Sequence, residues 1–178
     1  MATAVLVSAF EDQLKDLGGP ELEDITSAQV VRFLNRAILN NHQTLGQLCP
    51  STYKGTSTLT FAAEAGEIAL PTDWDQQTHV SVYNDAKFRT PFARDYSYVE
   101  DGVLRFNTDQ VAGTKVYVRY RKEPNRYSTT NETLAESENI RALEFLQDEV
   151  IALYLQSEED LEQSGAAANV LNNKNRIS

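Results

Sequence analysis

The chain holds one cysteine, Cys49, one tryptophan and two histidines. A lone thiol cannot close an internal disulfide, so the fold is expected to need no oxidising compartment. The histidines, His42 and His79, stand far apart, and no HxxxH or CxxC pair offers metal-ligand spacing. Glycine forms no phosphate cradle, because Gly18-Gly19 is followed by Pro20 and an acidic segment. No apolar run approaches the roughly 20 residues that span a bilayer. Met1–Val7 also lacks the basic start of a secretory signal, so Asn131-Glu132-Thr133 is read as a chance glycosylation match and synthesis as cytosolic. These absences predict no catalytic residue, no metal, no cofactor and no membrane partner, and hence a protein that is not an enzyme.

Acid is what the chain has in quantity. Its net charge of −10 disfavours duplex nucleic acid as a main ligand, because phosphate binding is driven by cations. The charge is segregated: residues 87–126 carry a net +4, and residues 1–86 and 131–178 carry −7 each. A basic middle between acidic flanks suits a molecule that meets copies of itself head to tail.

Apolar spacing divides the chain into elements. Leu6, Phe10, Leu14 and Leu17 recur as one face of a helix over 3–17, which Gly18-Gly19-Pro20 ends. A second helix opens at Thr26, where Gln29 completes a capping box. It buries Val30, Phe33, Leu34, Ala37, Ile38, Leu45 and Leu48, and closes at Cys49-Pro50. His42 falls at the edge of that stripe and is expected to pack there; Cys49 is expected to be inert. From Thr56 the period drops to two, predicting five to seven antiparallel strands up to Lys122. Val116, Val118 and Tyr120 face one way in that pattern, and His79 lies in a strand facing solvent. Asp101-Gly102 is a tight-hairpin signal that sets Val99 opposite Leu104. A last helix from about Ser137 buries Leu143, Leu146, Val150, Leu153, Tyr154 and Leu161, ends at Gly165, and leaves a flexible tail over 166–178. Its run Glu158-Glu159-Asp160 with Glu162 reads as a solvated helix face.

The predicted fold class is α+β: one domain with a small helical bundle from 1–50 and 130–165 and an inserted antiparallel β-sheet or sandwich over 56–122. Two features rise above this background. Aromatics alternate with cations in Tyr117-Val118-Arg119-Tyr120-Arg121-Lys122, near Tyr96 and Tyr98. Such a pattern suits sheet packing, a protein interface, or stacking of sugars or single-stranded nucleic acid. The tail is the other: Val170, Leu171 and Ile177 offer apolar anchors, and Lys174 and Arg176 offer cations.

The order of elements resembles the head–tail adaptor (connector or head-completion) proteins of tailed phages. The stretches that carry the resemblance are Ile25–Leu39 (ITSAQVVRFLNRAIL), Ile68–Trp74 (IALPTDW), Tyr98–Phe106 (YVEDGVLRF) and Val116–Pro124 (VYVRYRKEP), followed by the long last helix. After Pro124 the pattern calls for a leucine, where this chain has Asn125-Arg126-Tyr127. The resemblance implies a virion protein at the head–tail junction, forming a dodecameric ring beneath the portal protein. Such a ring extends the channel, passes DNA as cargo, and gives downstream tail or nozzle proteins a docking surface. On this reading Arg119, Arg121 and Lys122 face Glu158 and Glu159 of a neighbouring copy, and the tail residues Val170, Leu171, Lys174, Arg176 and Ile177 dock on the portal. The alternative is a ligand-binding β module of a phage tail, with Trp74, Tyr96 and Tyr98 as a stacking platform for a glycan or single strand.

Overall fold

A computed structural model describes residues 5–76, 78–92 and 97–176, with side chains described as far as Glu159 except that of Ser97. The fold is α+β, as the change of period predicts. It divides into two compact units: Met1–Leu48 with Asn125–Ser178, and Cys49–Pro124.

The helical unit begins with a short strand β1 (Val5–Leu6) paired antiparallel to β8 (Thr133–Leu134). Helix α1 (Val7–Gly18) follows and buries Val7, Phe10 and Leu14. This corrects the expected stripe. Leu6 belongs to β1 and is 45% exposed, and Leu17 is 62% exposed. Phe10 and Leu14 keep their expected places, and Val7 takes the buried position that Leu6, outside the helix, does not fill. Helix α2 (Ser27–Asn40) starts at the predicted capping box: the Gln29 amide donates to Thr26 Oγ1 at 3.3 Å, and the Thr26 amide donates to Gln29 Oε1 at 2.9 Å.

The predicted second helix is broken at Asn41 into α2 and α3 (His42–Leu48). The Asn41 side chain competes for backbone, donating to the Ala37 carbonyl at 3.1 Å, and also reaches Glu149 Oε2 at 2.8 Å. His42, half-buried, opens α3. The last helix, α5 (Ile140–Arg176), follows a 3₁₀ turn over Ala135–Glu138. It buries Ala142, Leu143, Leu146, Gln147, Val150 and Tyr154, with Tyr154 set edge-on to Phe33 at 6.0 Å between centroids. The expected stop at Gly165 is overturned, since α5 continues to Arg176. One interior glycine costs only about 1 kcal/mol relative to alanine, and Ala166-Ala167-Ala168, the best of helix formers, follow it with no proline. The flexible tail is therefore helix over 166–176; residues 177 and 178 lie outside the described residues, as do the side chains of Asp160, Leu161 and Glu162.

Past Pro124 the chain re-enters the helical unit, and Tyr127 is the first buried residue there. Its backbone is clamped by Asn35 of α2: Asn35 Nδ2 donates to the Tyr127 carbonyl at 2.7 Å, and the Tyr127 amide donates to Asn35 Oδ1 at 2.8 Å. Its hydroxyl donates to Glu136 Oε2 at 2.7 Å and accepts from the Ala135 amide at 2.9 Å. Asn125 Nδ2 donates to the other Glu136 oxygen at 3.0 Å. Glu136 is fully buried, and this polar lock compensates for removing its carboxylate from water.

The β unit opens with a single helical turn, α4 (Pro50–Tyr53), and its described residues form the strands β2 (Lys54–Thr60), β3 (Ala65–Ala69), β4 (Ser81–Tyr83), β5 (Ser97–Glu100), β6 (Val103–Gln110) and β7 (Lys115–Arg121). They form two three-stranded antiparallel sheets, β2-β7-β4 and β3-β6-β5. Between them lies a core of Phe61, Leu70, Trp74, Val80, Leu104, Phe106, Val116, Val118 and Tyr120. The Asp101-Gly102 turn sets Val99 opposite Leu104 as predicted, with φ of 50° and 78° at its two residues. His79 is exposed but precedes β4 and is not in a strand. Cys49, at the start of this unit, is buried.

Candidate functional site

Strand parity puts the basic residues of the β unit on one surface. Val116, Val118 and Tyr120 of β7 turn into the core, so Lys115, Tyr117, Arg119 and Arg121 turn outward. The register pairs these with Thr60, Thr58, Thr56 and Lys54 of β2, and pairs Tyr117 and Arg119 with Tyr83 and Ser81 of β4. The outward positions of this sheet carry Lys54, Lys115, Arg119 and Arg121 and not one carboxylate. In a chain of net charge −10, that face is a local inversion of sign.

A loop folds back over part of it. The Asp85 carboxylate accepts from the Lys87 amide at 2.9 Å, the Arg89 amide at 3.1 Å and the Thr90 amide at 2.7 Å. The Thr90 bond foremost, with those of Arg89 and Lys87, holds the Asp85 carboxyl below the usual carboxylate range. The loop drives Phe88 to a φ of 55°, a left-handed backbone that a bulky residue rarely adopts. Its ring stands edge-on to Tyr83 at 5.4 Å and to Tyr117 at 6.3 Å. The Arg119 guanidinium lies over the Phe88 ring at 4.3 Å and the Tyr83 ring at 5.5 Å. Arg119 is thereby fixed as an exposed, planar cation.

The structure brings Arg119 and Arg121 to this face and sends Lys122 elsewhere. One residue further on, Lys122 turns with opposite parity, and its Nζ lies 3.8 Å from Asp73 Oδ2. Asp73 Oδ1 also accepts the Tyr120 hydroxyl at 2.8 Å, and burial together with that carboxylate pushes the phenol up to about 12. Glu158 and Glu159 are exposed on α5 of the helical unit. Val170, Leu171, Lys174 and Arg176 fall in the last turns of α5, where only the backbone is described; Ile177 lies outside the described residues.

Of the stacking platform expected from Trp74, Tyr96 and Tyr98, the structure describes Trp74 and Tyr98, and both line one cavity. Trp74 is a core residue, 7% exposed, whose Nε1 donates to the Thr78 carbonyl at 3.3 Å. Tyr98 is exposed, and Tyr96 lies outside the described residues. The cavity, of about 790 Å³, opens between β4 and the β5–β6 hairpin, lined by Trp74, His79, Tyr83, Phe92 and Tyr98 among others. Sequence reasoning missed Tyr83, Asp85 and Phe88. The only signal available for them was Asp85 followed by residues able to close a side-chain turn. Among the described residues no group of His, Cys, Asp and Glu is placed to hold a metal ion, and no helix is long and apolar enough to cross a membrane. No family model matches the chain, and no curated protein matches it.

Proposed function

We propose that this chain is a structural assembly protein of the head–tail adaptor kind, which forms a homo-oligomeric ring, dodecameric by resemblance, on a portal protein. In that role it extends the channel through which DNA passes and offers a docking surface to tail or nozzle proteins. The observation that carries the reading is the outer sheet face of the β unit: Lys54, Lys115, Arg119 and Arg121 without a carboxylate among its outward positions. The matching acid lies on the other unit, where Glu158 and Glu159 are exposed on α5. Unlike patches on different units of one chain are what a head-to-tail contact between copies requires. The insertion of a β sandwich into a helical unit supports the same reading. Rim ion pairs of this kind are worth at most about 1 kcal/mol each, so they act mainly on association rate and register. Electron microscopy of the protein mixed with its portal should show a ring stacked on the portal. Reversing Arg119 and Arg121 to Glu should slow ring formation at low salt while lowering the melting temperature by only about 2–4 °C, the share owed to the lost stack over Phe88 and Tyr83. Normal assembly of that variant would remove the charge argument.

A ligand-binding β module is the second reading, favoured by the cavity of about 790 Å³ and its aromatic lining. Saturable shifts of Tyr98 and His79 resonances on titration with soluble glycans or oligonucleotides would support it over the adaptor reading.

A further inference from the structure

The two sheets of the β unit have four edges, and three are blunted in recognisable ways. The free side of β4 is occupied by the returning chain, since the Phe92 amide donates to the Val82 carbonyl at 2.8 Å and Tyr83 bridges to Pro91. Strand β3 shifts register between Ala65 and Glu67, and Glu67 is charged and paired to Arg105 at 2.9 Å. Strand β5 is only four residues long and ends in Glu100, 3.1 Å from the same arginine.

Strand β2 has no such protection. It runs seven residues without a shift in register, holds no proline and no carboxylate, and has one charge, Lys54, at its end. Its parity is fixed by the flanking bonds. The Phe61 amide donates to the Thr114 carbonyl and the Lys122 amide donates to the Tyr53 carbonyl, so odd-numbered residues direct their backbone groups at β7. Lys54, Thr56, Thr58 and Thr60 therefore direct theirs away from β7, and all four are exposed. Among the described residues no strand pairs with that edge.

The edge is complementary to itself. In an antiparallel pairing of two copies centred on Ser57, Lys54 meets Thr60 of the second copy and Thr56 meets its Thr58. The Lys54 amide is already held by the Pro50 carbonyl, so the new ladder consists of the Thr56–Thr58 bonds and of the Thr60 amide donating to the Lys54 carbonyl; no like charges are opposed, and threonines, favoured in strands, stand side by side. We propose that the free protein associates through β2 into a two-fold dimer, in which the two β2-β7-β4 sheets join as one continuous sheet. Such a contact uses the same patch on both copies, whereas a polar ring uses unlike patches. It is thus a property of the unassembled protein, and it stands or falls separately from the ring.

Sedimentation of the full chain over rising concentration should show a monomer–dimer equilibrium. Thr58→Pro deletes an outward amide without removing a bond to β7, so it should leave a folded monomer by circular dichroism. In case that variant fails to fold, the register has its own tests. Thr60→Glu places a carboxylate opposite Lys54 of the second copy and should tighten the dimer several-fold, and Thr60→Lys should loosen it by a similar factor. Ser57 meets its own copy at the non-hydrogen-bonded centre, where Cα atoms stand about 4.5 Å apart. That spacing lies within the disulfide range, so Ser57→Cys should cross-link two chains on mild oxidation faster than Thr56→Cys. A protein that stays monomeric at every concentration would overturn the proposal. So would a dimer indifferent to the charge at position 60 and to Ser57→Cys oxidation.

Discussion

The two units handle polarity in opposite ways. The helical unit draws polar groups inside: Glu136 and Ser137 are buried, and Gln147 of α5 donates to Gln13 of α1 at 2.8 Å. The β unit keeps a core of apolar and aromatic side chains and sets its charges on an outer face. Helices joined by long excursions of chain need directional bonds to fix where the chain returns, and Asn35 supplies them by gripping the Tyr127 backbone. A sandwich receives its register from ladder bonds and needs no buried polar lock. Its side chains are therefore free to serve a surface.

Truncation in either core should have the largest effect. Phe10→Ala in the helical unit is expected to cost about 3–5 kcal/mol, and Leu104→Ala in the β unit about 2–5, read from denaturant midpoints. The contrast itself sharpens when only a hydroxyl is removed. Tyr127→Phe leaves buried Glu136 short of a donor and the Ala135 amide without its acceptor, a loss of about 1–3 kcal/mol. Tyr120→Phe uncovers only Asp73, whose side chain is 49% exposed and returns to water, so the loss should be under about 1 kcal/mol. Equal losses at the two tyrosines would break the comparison.

Backbone approach gives a third test, confined to the sandwich. A Cβ on Gly55 would stand 2.3 Å from Tyr120 Cζ, so Gly55→Ala must displace a core ring. We expect a loss of about 1–3 kcal/mol, seen as a lowered melting temperature. At Gly66 the nearest atom is the movable Asp109 Oδ1 at 2.9 Å, and Gly66→Ala should be milder.

Smaller effects belong to the outer face. Arg119→Lys exchanges a planar stack over Phe88 and Tyr83 for a point charge, at a cost of about 0.5–1 kcal/mol, and should broaden the Phe88 ring resonances. The weakest signal is alkaline. The Tyr120 phenol is raised from 10.0 to about 12, so what its bond to Asp73 contributes is fully present below pH 10 and is lost as pH rises through 12. Ultraviolet titration should therefore show one late-ionising tyrosine fewer in Tyr120→Phe.

Local pattern by itself determined much of this protein. The Thr26 capping box, the Asp101-Gly102 hairpin with Val99 opposite Leu104, and the inward set Val116, Val118 and Tyr120 are all spacings of a few residues. Each depends on bonds or periods that close within a few residues along the chain, and so did the α+β class. Other features depend on residues distant in the chain, and only the tertiary structure decided them. Asn41 breaks a helix that its neighbours would continue, because its side chain finds both the Ala37 carbonyl and Glu149 of α5. Tyr127 is held in the helical unit by bonds to Asn35, 92 residues earlier in the chain, and to Glu136. Arg119 is caged because a loop held by Asp85 bends Phe88 over it. A side chain's partner across the fold leaves no period in the sequence, so its role appears only when both ends of the contact are in place.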